Sequence, residues 1–370
     1  MGFDCSIKTF LILLRAGLWE KKARLNQFEK IDYHKIYRLA EEQSVLGLVT
    51  AGLEHIIDIN APKDIVLQFA GQALQLERRN LAMNSFVSEV VETMRSNDIY
   101  TLLVKGQGVA QCYERPLWRS TGDIDFYLSE SNYEKAKAFL SSLAEQVEDE
   151  DKCRLHLGLT IDGWLVELHG TMHTNISRRM NIVADEVHHD IFYGGNVRSW
   201  NNGGIQVFLP SPNNDVIIVF NHFINHFYGE GIGLRQVCDW CRLLWTYKSE
   251  INVKLLETRI RKAGLMSEWK AFAALAVDWL GMPVEAMPFY DEKKKYTKKA
   301  NRIAELIIET GSFGRNKDYS YRQNGSKWRV NVQTFFTRMR EYGRLATIFP
   351  VNASMFFVNY VFNRIKAVIQ

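Results

Sequence analysis

The stretch Gly122-Asp123-Ile124-Asp125-Phe126-Tyr127-Leu128 decides how this chain reads. Ile124, Phe126 and Leu128 alternate with Asp123, Asp125 and Tyr127. A period of two belongs to a strand with one apolar face and one functional face. Residues i and i+2 on a strand point the same way, so both carboxylates converge on one spot. Two like charges that close are unfavourable unless a cation holds them, which makes the pair a natural seat for Mg²⁺.

Upstream, Tyr100-Thr101-Leu102-Leu103-Val104 is short, apolar and β-prone, and it runs into Lys105-Gly106-Gln107-Gly108. A short helix through Tyr113 follows. Backbone N–H groups at such a turn favour phosphate oxygens, and glycine lets a ligand approach. Arg119 lies on the loop feeding the acidic strand. Downstream, Ser131 is placed to cap a helix reaching about Leu143. Arg154 to Ile161 and Trp164 to His169 then form a hairpin through Asp162-Gly163. Glu167 alternates with Val166 and Leu168, so it faces away from the apolar layer. Pairing of its strand with Ile124–Leu128 brings Glu167 beside Asp123 and Asp125. His169, two positions on, points the same way. Ile205 to Leu209 is expected to close the sheet region.

The flanks carry a helical period. Tyr33 to Ile56 places Ile36, Leu39, Ala40, Val45, Leu46 and Leu48 on one face, and Asp64 to Arg95 continues with only Gly71 as a breaker. The period returns at Ser211 and holds through about Leu280. Further helices are expected over Lys294–Glu309, Ser326–Arg344 and Ala353–Val368, with a loop at Gly311–Gly325. The reading is an α+β fold with three regions: an N-terminal helical region at 1–96, a small mixed-sheet core at 97–210 and a C-terminal helical region at 211–370.

Length and composition agree with a folded enzyme-sized chain. Its 370 residues suffice for about two to three units at roughly 150 residues each. With 24% charged and 12% aromatic residues, it is neither disordered nor of low complexity. No run approaches the ~18 apolar residues of a membrane span. Phe10 to Leu14 is too short for a signal-peptide core, so a cytoplasmic protein without membrane insertion is expected. Five cysteines, an odd number, do not make an oxidised framework. The net charge of +4 hides an asymmetry, since Asp291 to Gln370 holds 16 Lys/Arg against 6 Asp/Glu. Solvated helix faces account for that excess, with a slight pull towards polyanions.

Together, the Lys105-Gly106 turn, Tyr113, Arg119, Asp123-Ile124-Asp125 and Glu167-Leu168-His169 resemble the polymerase-β-like nucleotidyltransferase superfamily. Within it they are most similar to the branch of uncharacterised nucleotidyltransferases. Gly229 to Gln236 with Asp239-Trp240, and Gly311-Ser312-Phe313-Gly314, are also similar to that branch. The resemblance implies Mg²⁺-dependent transfer of a nucleoside monophosphate from an NTP, ATP foremost, to an acceptor, with release of pyrophosphate. It implies two Mg²⁺ (or Mn²⁺) ions ~3.5–4 Å apart, held by Asp123, Asp125 and Glu167. Glu167 would also take the acceptor's proton. Lys105, Gly106, Gln107, Arg119 and Arg235 would meet the nucleotide. The acceptor is a small molecule, a protein or a nucleic acid end. Two departures stand out: Gly106-Gln107 replaces the usual Gly-Ser, and Glu167 replaces a common Asp.

Other features read as structural or secondary. Cys238-x-x-Cys241 lies in a helical pattern without a second ligand pair, and is read as packing. His222 and His226, four apart on a helix, lack the Glu of a metalloprotease signature. With His169 they are candidates for a supporting role or for the acceptor pocket. Phe356 to Phe362 is read as a buried helix. Two rival functions remain in view. One is a nucleotide-binding module without turnover; the other is an Asp-x-Asp glycosyltransferase, disfavoured because almost a hundred helical residues precede the first strand.

Overall fold

The computed structural model describes residues 4–317 and 327–369. Four helices come first: α1 (Cys5–Trp19), α2 (Tyr33–Glu42), α3 (Leu46–Glu54) and α4 (Lys63–Ser96). The sheet region follows with β1 (Leu102–Val104), α5 (Gly106–Ala110), β2 (Ile124–Tyr127), α6 (Glu130–Ser141), β3 (Gln146–Val147), β4 (His156–Ile161) and β5 (Trp164–His169). Next come α7 (Arg178–Phe192), β6 (Val197–Asn202) and β7 (Ile205–Pro210). The chain continues with α8 (Pro212–Tyr228), α9 (Leu234–Thr246), α10 (Val253–Ala263), α11 (Met266–Leu280), α12 (Lys294–Thr310), α13 (Lys327–Ala346) and α14 (Pro350–Ile369).

Five strands form one mixed sheet in the order β1-β2-β5-β4-β3. Only β2 and β5 run parallel, with Asp125 opposite Glu167 and Tyr127 opposite His169. The β4–β5 hairpin turns through Asp162 (φ 49°) and Gly163 (φ 73°). Two successive left-handed residues make the tight turn that matches strand twist.

Alternation along β2 sorts its side chains as the sequence indicates. Ile124, Phe126 and Leu128 join Val166 and Leu168 in a core covered by the second half of α4 (Met83 to Met94) and by α6 (Tyr133, Ala136, Leu140). Tyr127, on the other face, belongs to the larger helical cluster around α8, α9 and α11. That cluster also takes in α1 to α3. Crossing of α1 and α3 depends on glycine: a Cβ on Gly17 would lie 1.8 Å from the Leu48 carbonyl oxygen, and one on Gly52 would lie 2.0 Å from that of Leu13. The backbones touch there, which no larger residue permits.

Several expectations change. The helix expected over Tyr33–Ile56 is two, broken where Ser44 takes φ 55°. Ser129, not Ser131, is the N-cap residue of α6. Ile205–Leu209 does not close the main sheet but pairs with Val197–Asn202 as a separate hairpin. Helix α7, begun where the Ser177 side chain accepts from the Met180 N–H, was not foreseen. The tail expected to be buried is so on one side only: Phe356 is 5% exposed, Val358 48% and Phe362 61%. Of the loop expected at Gly311–Gly325, the part from 318 onward lies outside the described residues. Among the described residues no helix is long and apolar enough to cross a membrane. Cys238 and Cys241 are free, buried thiols in the helical core.

Phe126 is completely buried behind the acidic face. Phe126→Ala is expected to lower stability by about 3–5 kcal/mol in urea unfolding followed by circular dichroism. A loss below about 1 kcal/mol would mean that this face of β2 is not packed as described.

Candidate active site

Asp123, Asp125 and Glu167 meet at the carboxyl-facing edge of the β2–β5 pair. One carboxylate oxygen from each lies within 4.8 Å of the others. The register explains the meeting, since Asp125 and Glu167 are direct partners and Asp123 precedes β2 by one residue.

Lys105 sits against this group. Its Nζ is 2.5 Å from Asp125 Oδ1 and donates to His222 Nδ1 at 3.2 Å. Its backbone is in an uncommon region, with φ 57° and ψ −141°. Such strain in a non-glycine residue persists only where surrounding structure over-determines it, and it concentrates at functional sites. Gly106, also at positive φ, forms the turn beside it.

Burial disfavours the Lys105 ammonium, yet Asp125, Glu167 and Asp123 overcome this and raise its pKa. The Asp125 charge and burial push the Asp123 carboxyl above its ordinary range. Burial opposes ionisation of Glu167 too, but His156, His169 and Lys105 hold its carboxyl far below the usual range. His169 is likewise desolvated, and its bonds to Asp125 (2.9 Å) and Glu167 (3.4 Å) raise its pKa. His222 goes the other way: burial and the Lys105 charge keep its imidazole neutral, as an acceptor from Lys105 must be.

A cleft of about 570 Å³ opens over these groups. Lys105, Asp123, Glu167 and His169 form one wall, and α8 contributes Asn221, His222, Asn225 and His226 opposite. Tyr342 of α13 and Phe356 of α14 supply an aromatic side. The buried Oδ1 atoms of Asn221 and Asn225 have no hydrogen-bond partner among the described residues. A narrower crevice on the acidic side of β2 is lined by Gly106, Arg119, Gly122, Asp125 and Arg235. Arg235 Nη1 donates to the Ser120 carbonyl at 2.8 Å, while its buried Nε has no partner among the described residues. Burial and the nearby Arg119 lower its pKa.

Two residues assigned to the nucleotide are placed differently. Arg119 donates through Nε and Nη2 to the two oxygens of Asp239, both at 2.7 Å, and Tyr113 donates to the same carboxylate. Nε and Nη2 are thereby engaged bidentately, which fastens the loop ahead of the acidic strand to α9. Gln107 turns back to α4, where its Nε2 donates to Asn80 Oδ1 at 3.3 Å. His222 and His226 stack edge-on at 4.5 Å and belong to no metal-ligand group found among the described residues.

His156 was missed by sequence reading. It lies on β4 directly opposite His169. The signal was present: counting back from the two-residue Asp162-Gly163 turn pairs positions 156 and 169. Partnership of Asp239 with Arg119 had no local signal, since 120 residues separate them.

An acidic triad on a mixed sheet, a strained lysine–glycine turn and a polar cleft thus lie together. A family model described as uncharacterised nucleotidyltransferase matches residues 29–281, more than half of the chain, and the protein belongs to that family. No curated protein and no solved structure matched it.

Asp123 is ionised against its neighbour's charge, so its removal relieves the folded protein. Asp123→Asn is expected to raise the melting temperature of the metal-free protein at neutral pH. A raised folded pKa means the relief is present above that pKa. It shrinks as pH falls through it towards the ordinary value of 3.8, where both states are protonated. Differential scanning fluorimetry across pH with chelator present checks this; an unchanged or lowered melting temperature at neutral pH would contradict the crowding of charge.

Proposed function

We propose that the protein transfers a nucleoside monophosphate from an NTP, ATP first among them, to an acceptor hydroxyl or amine, with release of pyrophosphate. The observation that carries this reading is the meeting of Asp123, Asp125 and Glu167 beside the large cleft, which Asp123 and Glu167 line. Family membership supports nucleotide transfer at the class level.

The residues fit a divalent cation. Oxygen donors are what Mg²⁺ prefers, and the upward push on Asp123 marks negative charge that Lys105 leaves uncompensated. Asp123, Asp125 and Glu167 would hold the metal, with Mn²⁺ a possible substitute for Mg²⁺. When bound, the metal would offset charge on the phosphates and on the departing pyrophosphate.

The protein's own groups supply the rest. Lys105 and the unpartnered Nε of Arg235 offer positive charge to the triphosphate. The acceptor oxygen or nitrogen bonds to the α-phosphorus as the bond to the β-phosphate oxygen breaks. Pyrophosphate leaves with that electron pair, and Glu167, held ionised, takes the acceptor's proton. His169 positions Asp125 and Glu167. His222, neutral, keeps Lys105 aimed at the carboxylates. Asn221 and Asn225 line the cleft, and their side-chain amides are suited to polar groups of an acceptor.

The test is incubation with ATP labelled at the α-phosphate, Mg²⁺ and fractionated small molecules, proteins and RNA, following label transfer and pyrophosphate. The wild type is expected to label an acceptor. Asp125→Asn should reduce the rate at least about 100-fold, the scale on which loss of a preorganised electrostatic group acts. Equal pyrophosphate release by both proteins would remove the assignment. Tight ATP binding in calorimetry without turnover would favour a binding module, and UDP release from a nucleotide sugar would favour a glycosyltransferase.

A further inference from the structure

Beside the acidic triad lies a second cluster of a different chemistry. His156 on β4 and His169 on β5 are register partners, and their rings lie 4.7 Å apart. Both Nε2 atoms lie near one oxygen, Glu167 Oε2, at 3.3 and 3.4 Å, while that of His169 also bonds Asp125 Oδ1 at 2.9 Å. One ligand atom from each of the three lies within 4.8 Å of the others. All three side chains line the large cleft.

Those separations are informative. A charge-assisted N–H···O bond is ordinarily ~2.7–2.9 Å, and both contacts are longer. Two donors each ~2.1 Å from a tetrahedral ion lie about 3.4 Å apart. The imidazole–carboxylate distances therefore match the edges of a coordination tetrahedron better than they match hydrogen bonds. Two imidazoles with one carboxylate, and a fourth position open to a cleft, form a donor set of the kind used by exposed zinc sites.

We propose that His156, Glu167 and His169 form a second cation seat that prefers Zn²⁺ to Mg²⁺ and shares Glu167 with the Asp123–Asp125 pair. Imidazole nitrogen suits late first-row ions, whereas Mg²⁺ binds oxygen and parts with water reluctantly. Binding requires both imidazoles to be neutral, so the Nε2 proton that His169 gives Asp125 leaves to solvent as the ion arrives. The seat stands independently of nucleotide transfer, and its test uses no nucleotide.

Chelator-stripped full-length protein is titrated with Zn²⁺ by calorimetry, alone and in excess Mg²⁺, with circular dichroism to verify folding of each variant. One Zn²⁺ is expected to bind and to persist in Mg²⁺. His156→Ala should weaken it by at least about tenfold, the loss that even removal of a ligand's supporting partner brings. Asp123→Asn should weaken it less than His156→Ala does, since Asp123 is outside the cluster and bears on it only through its charge. Four results would overturn the proposal: no Zn²⁺ binding, equal binding by wild type and His156→Ala, displacement by Mg²⁺, or loss in Asp123→Asn but not in His156→Ala. Should His156→Ala fail to fold, Co²⁺ added to the wild type decides. Intense visible bands without a thiolate charge-transfer band support a tetrahedral nitrogen–oxygen seat. Weak octahedral bands place the ion on the acids alone, and a thiolate band places it on exposed Cys5 or Cys153.

Discussion

Three carboxylates crowded against one buried ammonium form the constraint on which the rest of the architecture depends. Lys105 pairs with Asp125 at 2.5 Å and is also drawn by Glu167 and Asp123. Lys105 and the histidines compensate Asp125 and Glu167 most directly, and the crowding is felt on Asp123, whose carboxyl the Asp125 charge pushes up. Such crowding is unfavourable on its own and is relieved by any further positive charge that joins it. The strained backbone of Lys105 points the same way, because an unstrained turn would be available if structure alone were required.

Holding that charge in place falls to elements far apart in sequence. Hydrophobic packing behind β2 fixes the strand, while the Arg119–Asp239 fork clamps the loop ahead of it onto α9. Asn80, in the middle of α4, donates to the Leu117 and Arg119 carbonyls and receives Thr121 and Gln107. The approach to the acidic strand is therefore held from two sides by buried polar bonds, each poorly replaceable once water is excluded. This explains why two residues with the look of phosphate contacts, Arg119 and Gln107, face inward. A guanidinium makes an effective anchor for the same reason that it makes an effective phosphate ligand: its planar fork fits a carboxylate bidentately.

Legibility followed the range of the interactions. Alternation in β2 and β5, the Asp162-Gly163 turn and the helical period of α4 are local patterns, and the fold class, the pairing of Glu167 with Asp125 and the separation of faces could be read from them. The break at Ser44 could not, because a left-handed serine carries no compositional mark. Helix α7 did carry a local signal, since Met180, Val183, Ala184, Val187 and Ile191 recur at helical spacing, whereas the pairing of β7 with β6 is set beyond any local pattern. Direction of a long side chain was the least legible feature. Sequence places Arg119 next to the acids, but only the distant Asp239 decides where its guanidinium goes.

Glu167 shows how one substitution in side-chain length changes what a site can do. An aspartate at this position would hold its carboxylate closer to the strand. The longer arm carries Oε2 close to two imidazoles while a carboxylate oxygen also falls within reach of Asp123 and Asp125. It thus lies between the nitrogen donors on β4 and β5 and the acidic pair on β2. Lys105 and the two histidines stabilise the same ionised state, so the carboxylate remains available as a ligand or proton acceptor throughout. A shorter acid would answer to one set of neighbours only, and the link between them would be broken.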